Sequence, residues 1–158
     1  MLGAADFAWA DGMRRGHFPP ERNFVPAHIT LFHHLPPSVL DELSWRIKQV
    51  CAGPAPAAML ADVLLLGSAV AYHVVSDELM AIRDALADAF HGLLVPQDQV
   101  RPRLHITVQN KADPAQARSL AGQLRRDFRP RPLKIAGLGV WRYLGGPWQL
   151  ALKARFRG

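Results

Sequence analysis

Apolar residues recur along this chain with two periods, and the changes of period divide it into elements. Val39, Leu40, Leu43, Ile47 and Val50 follow helical spacing. So do Leu79, Ile82, Leu86 and Phe90, and again Ala117, Leu120, Leu124 and Phe128. Each of these helices has a plausible start signal: Ser38, Ser76 and Asp113-Pro114. Residues 4–15 predict a further helix with a weaker period, ended by Gly16-His17-Phe18-Pro19-Pro20. Ala57–Leu66 and Ala69–Val75 read as strands joined by a hairpin at Gly67-Ser68. Leu133–Tyr143 and Trp148–Phe156 read as a second pair around Gly145-Gly146. Two shorter runs, Val25–Phe32 and Arg103–Val108, alternate as strands do.

In this order the elements repeat. Helix, short strand, helix and hairpin occur once over residues 1–75 and again over 76–158. An offset of 77 residues sets Ser38 on Ala115 and Val63 on Val140. The fold expected is α+β: a single domain over 1–158 with two lobes about a pseudo-two-fold axis. Each lobe would be a small, mainly antiparallel sheet with two helices, and the short strands would line a central cleft. The second half begins with strand Ala69–Val75 before its first helix. The equivalent strand of the first half would precede Met1, so one sheet edge is expected to be poorly covered.

Composition narrows the function classes. No run of eighteen apolar residues is present, so no membrane partner is expected. Met1–Trp9 lacks the basic start and apolar centre of a secretory signal, and Cys51 is the sole cysteine, which excludes an internal disulfide. A cytoplasmic monomer is the expectation. Residues 1–100 hold six Lys/Arg against eleven Asp/Glu, net −5, whereas residues 101–158 hold thirteen against two, net +11. Such asymmetry points to an anionic partner, although a solvated basic helix face gives the same count.

The chemistry lies in the two short strands. One reads His28-Ile29-Thr30-Leu31 and the other His105-Ile106-Thr107-Val108, and these two threonines are the only ones in the chain. On a strand, His and Thr share one face while the apolar pair anchors the other. Two imidazoles facing one substrate supply a base and an acid near neutral pH, as in-line displacement at phosphorus requires. A threonine hydroxyl beside each can donate to a phosphate oxygen. No metal or other cofactor is needed for this chemistry, and the chain has no GxxxxGK[ST] loop for ATP.

Around these motifs stand His17-Phe18-Pro19-Pro20-Glu21-Arg22-Asn23, Ala27 to His33, His105 to Lys111, and Trp141-Arg142-Tyr143-Leu144-Gly145-Gly146-Pro147-Trp148. Together they resemble the two-histidine (2H) phosphoesterase superfamily, and within it the bacterial 2′-5′ RNA ligase / RNA 2′,3′-cyclic phosphodiesterase proteins. The resemblance implies hydrolysis of a 2′,3′-cyclic phosphate at an RNA end to a 2′-phosphate, with ATP-independent 2′-5′ ligation as the reverse chemistry. It implies that one histidine activates water and the other protonates the departing 3′ oxygen, with Thr30 and Thr107 holding the phosphate oxygens; of the two assignments that near-symmetry leaves open, His28 as the acid and His105 as the base is the one expected here. It also implies a strand ahead of the first helix, in line with the gap found above. Alternatives on the same fold are a cyclic phosphodiesterase for small nucleotides, of the ADP-ribose cyclic phosphate type, and a non-catalytic RNA-binding module. For substrate contacts, Phe32 and Gln109 continue the His/Thr faces, Arg103 shares the face of His105, Lys111 lies close by, and Tyr143 and Trp148 could stack on a base. His17, His73 and His91 lack the motif and read as structural or solvated.

Overall fold

The alternation on either side of Gly67-Ser68 closes as a hairpin in the computed structural model, which describes residues 1–158. β1 (Ala57–Leu66) and β2 (Ala69–Val75) run antiparallel with Leu66 opposite Ala69, and Gly67 turns the corner at φ +63°. β3 (His105–Gln109) joins the free edge of β2, and β4 (Arg131–Lys134) joins β1, giving an antiparallel sheet in the order β3-β2-β1-β4. β5 (Gly137–Tyr143) and β6 (Trp148–Arg155) pair only with each other. The strand expected over Leu133–Tyr143 is therefore two strands in two sheets. Ile135 and Ala136 carry the chain across, and Ile135 is anchored at 2% exposure.

The helices follow the apolar spacing. α1 covers Ala4–His17, α2 Leu40–Val50, α3 Asp77–Ala89 and α5 Pro114–Asp127, while α4 (Pro96–Gln99) is a single turn that no periodicity announced. Ser76 caps α3 by accepting from the Leu79 amide at 3.1 Å, and Asp113 caps α5 by accepting from Ala115 at 2.8 Å. Ser38 caps nothing: it lies within a 3₁₀ turn, Pro37–Val39, that leads into α2. Proline at its first position favours that tight turn.

α1 is fastened at its start by Asp6, which pairs with Arg131 at 2.6 Å and accepts from the Lys134 amide at 2.8 Å. Farther along it, Trp9 packs on Tyr72 of β2 with ring centroids 4.8 Å apart. Tyr72 also meets Phe128 at the end of α5, at 5.7 Å. All but two of the buried apolar residues form one cluster of 25 that takes in both sheets, so the two halves share a core. Mixed helices and antiparallel sheet make this an α+β fold. No helix is long and apolar enough to cross a membrane.

The first motif departs from expectation. Val25–Phe32 forms no strand and lies in no sheet, with bends at Val25, Ala27 and Leu31. Met1–Gly3 lies along the passage from β4 to β5: Leu2 bridges Ile135, the Gly3 amide donates to Lys134 O at 2.7 Å, and the Ala136 amide donates to Met1 O at 2.9 Å. α1 begins at the next residue, and β5, paired only with β6, keeps one edge without a strand.

Candidate active site

β3 presents the second motif through ordinary sheet physics. Ile106 and Val108 are fully buried, which contributes about 1.5–3 kcal/mol each, and this turns His105 and Thr107 to the opposite face. Ladder pairing to β2 fixes the register, with Tyr72 opposite Ile106 and Ala71 opposite Thr107.

The first motif is held differently, by side chains. Ile29 and Leu31 pack on the core while only partly buried. Arg14 of α1, 4% exposed, reaches both motifs. Its Nη1 donates to the carbonyl of Thr107 at 2.7 Å, and its Nη2 donates to Asn23 Oδ1 at 2.8 Å and to Val25 O at 3.1 Å. Nε adds a bond to Asn23 Oδ1 at 3.1 Å, and the Phe18 ring lies under the guanidinium at 4.4 Å. Asp11, one turn earlier, accepts from the Ala27 amide at 3.1 Å. One face of α1 thus does for residues 23–27 what a neighbouring strand would do.

Asp98 of α4 holds the far end. Its carboxylate accepts from the amides of His33 and His34 at 2.9 Å each, and from His33 Nδ1 at 2.8 Å. Its side chain is 2% exposed. Burial pushes the Asp98 carboxyl up, but the amides of His34 and His33 and the His33 ring outweigh it and hold it below its ordinary value. A carboxylate stabilised in this way loses its contribution as pH falls through the depressed folded value, after giving it in full above the unfolded one. Asp98→Ala should lower unfolding free energy by about 2–4 kcal/mol in urea titration at pH 7, because two amides lose their acceptor. The difference between variant and wild type should shrink below pH 4, which the same titration at pH 3 checks.

The two catalytic candidates are presented alike. His28 Nδ1 lies 2.7 Å from Pro26 O, and His105 Nδ1 lies 2.7 Å from Arg103 O. A carbonyl only accepts, so Nδ1 carries the proton in both rings and the neutral form keeps its lone pair on Nε2. Each imidazole is thus oriented by the carbonyl two residues before it. Both are half-buried, and they are close enough that charge on His105 disfavours charge on His28. Burial holds His28 below its ordinary value. The Pro26 carbonyl opposes this, and Arg14, the Met1 amine and His105 add to it. Thr30 and Thr107 are half-buried beside them.

The remaining candidates are scattered. Arg103 is exposed, two residues from His105. Lys111 is exposed in the turn after β3, at φ +56°. Phe32 lies beneath the buried Arg83 guanidinium at 5.0 Å, a packing position. Gln109 does not continue the face of Thr107. The register passes from Ala71–Thr107 to Val70–Gln109, so Val108 is an extra residue and Gln109 turns to the side of buried Val70. It is 8% exposed there and its Oε1 has no partner. Tyr143 and Trp148 are a cross-strand pair at the tip of the β5–β6 hairpin, with centroids 4.9 Å apart.

Three contributors lack any local signal: Arg14, Asp98 and His73. Arg14 and Asp98 act on residues far away in sequence. The position of His73 follows from strand register, which sets it opposite His105.

Comparison with known proteins agrees with the motifs. No curated protein matches the chain. The family model of the 2′-5′ RNA ligase superfamily matches residues 4–147, a span that contains both HxT motifs and the side chains that clamp them. The chain belongs to the 2′-5′ RNA ligase superfamily of 2H phosphoesterases.

Proposed function

We propose that the chain is a cyclic phosphodiesterase that opens 2′,3′-cyclic phosphates at RNA ends to 2′-phosphates, with 2′-5′ ligation as a related reaction of the same site. The observation that carries this reading is the matched presentation of two imidazoles, each with Nδ1 on the carbonyl two residues before it and Nε2 left for chemistry, close enough that charge on one is felt at the other. Both halves of the chain contribute one HxT segment, as a duplicated bilobed fold would have it.

Water attacks phosphorus, the P–O3′ bond breaks, one imidazole takes the proton of the water and the other gives a proton to O3′. When a 5′-hydroxyl replaces water, the same steps join two RNA ends. The threonines donate to the non-bridging oxygens, whose charge grows in the transition state. The low proton affinity of His28 favours it as the base, opposite to the assignment expected from the sequence, and leaves His105 as the acid. A base must be neutral to act, so the acid limb of the kcat/KM profile should lie below pH 6.5, the ordinary histidine value.

The test is incubation of the protein, with and without EDTA, with an oligonucleotide ending in a 2′,3′-cyclic phosphate. The expected product carries a 2′-phosphate and a 3′-hydroxyl at unchanged rate in EDTA. A 3′-phosphate product, or turnover abolished by the chelator, would overturn the mechanism.

A further inference from the structure

His73 stands directly across the sheet from His105. The Val74 amide donates to Leu104 O at 2.8 Å, which makes Val74–Leu104 a hydrogen-bonded pair of the antiparallel ladder. His73–His105 is then the non-hydrogen-bonded pair, in which Cα atoms approach to about 4.5 Å and side chains on one face are closest. Both rings are half-buried on the face that carries Thr107. Arg103 lies two residues before His105, on that same face, and is exposed. His73 and Arg103 both line an open hollow of about 150 Å³, together with Leu104, Ser76, Asp77 and Met80.

The charged groups facing His73 come from the two strands beside it, the segment leading into β3 and the start of α3. Asp62 of β1 is its register partner on the other side, Arg103 and His105 stand on the β3 side, and Asp77 stands at the hollow. Burial, Arg103 and His105 lower the proton affinity of the ring, and Asp62 raises it. A ring in that balance donates N–H when neutral and gains charge when an anion arrives.

We infer that His73 and Arg103 form a subsite for the phosphodiester adjoining the terminal cyclic phosphate, so that the site prefers an oligonucleotide to a mononucleotide. This deepens the proposed function and rests on it. His105 acts at the terminal phosphate, and the next phosphate along the strand meets the guanidinium and imidazole beside it. Phosphate contacts of this kind position a strand without reading its sequence.

The experiment compares kcat/KM for a 2′,3′-cyclic mononucleotide and for a dinucleotide ending in the same cyclic phosphate. In the wild type the dinucleotide is favoured. In His73→Ala that preference should fall about tenfold, and the preference should become less dependent on salt, as expected when a phosphate contact is lost. His73→Gln, which keeps an N–H donor, should recover part of the preference, whereas a merely structural role would lower both substrates alike. A wild type active on both substrates whose preference is the same in His73→Ala overturns the subsite alone. A wild type inert on both overturns the phosphodiesterase reading and the subsite with it.

Discussion

Replacing His28 or His105 by alanine should lower kcat/KM on a cyclic-phosphate-ended RNA by about 10²–10⁴-fold, the usual worth of a positioned acid or base. The size follows from the geometry. Each Nδ1 is committed to a backbone carbonyl, so each ring has one nitrogen for chemistry, and no other imidazole is oriented the same way. The double variant should be little worse than either single one, because an acid and a base in one displacement act as a unit. Initial rates for the three variants measure this directly. The pH profiles then separate the roles: His28→Ala should lose the acid limb and His105→Ala the alkaline limb. Loss of the same limb in both would refute the division of labour proposed here.

Arg14→Ala should have the second largest effect, on stability and turnover together. The change strips Asn23, Val25 and Thr107 of a buried donor. Unpaired buried acceptors cost about 1–3 kcal/mol each, and partial relief by water leaves an expected loss of about 2–4 kcal/mol in denaturant unfolding. Turnover should fall further than stability explains, since a shift of about an ångström between acid and base is worth about 10²-fold. Arg14 also disfavours charge on His28, after the larger effect of burial. Arg14→Gln should therefore raise the proton affinity of His28 and move the acid limb to higher pH. Arg14→Lys keeps the charge but not the forked geometry, so its limb should stay while kcat falls. Equal limbs in the two variants would mean that Arg14 only holds the fold.

Much of this was legible in the sequence because it is local. The caps at Ser76 and Asp113 announce themselves, as does the Gly67-Ser68 turn. The HxT pair announces itself because the chain has no other threonine. What was illegible depends on distant partners. Alternation over Val25–Phe32 looks the same whether or not a strand lies alongside, so the absence of a ladder could not be read from it. Asp98 sits in a polar Pro-Gln-Asp-Gln turn that suggests a solvated loop, yet it is buried against His33, 65 residues away in sequence. Gln109 was misplaced by the bulge at Val108, which periodicity carries past without notice. The break between β4 and β5 likewise shows only when Ile135 is seen passing between sheets.

The contrast between a laddered second motif and a clamped first one has a consequence for the ensemble. Opening a strand inside a sheet breaks a cooperative unit, and its free energy approaches that of global unfolding. Lifting residues 23–34 away breaks no ladder: it requires that the contacts of Asp11, Arg14 and Asp98 let go, together with the buried Ala27 and the partly buried Ile29, Leu31 and Phe32. The acid–base pair therefore has one half that lasts as long as the fold and another that can come and go while the fold persists. Competence is then a population, and an RNA end bound against both halves would raise that population by the free energy it contributes to keeping the first motif in place.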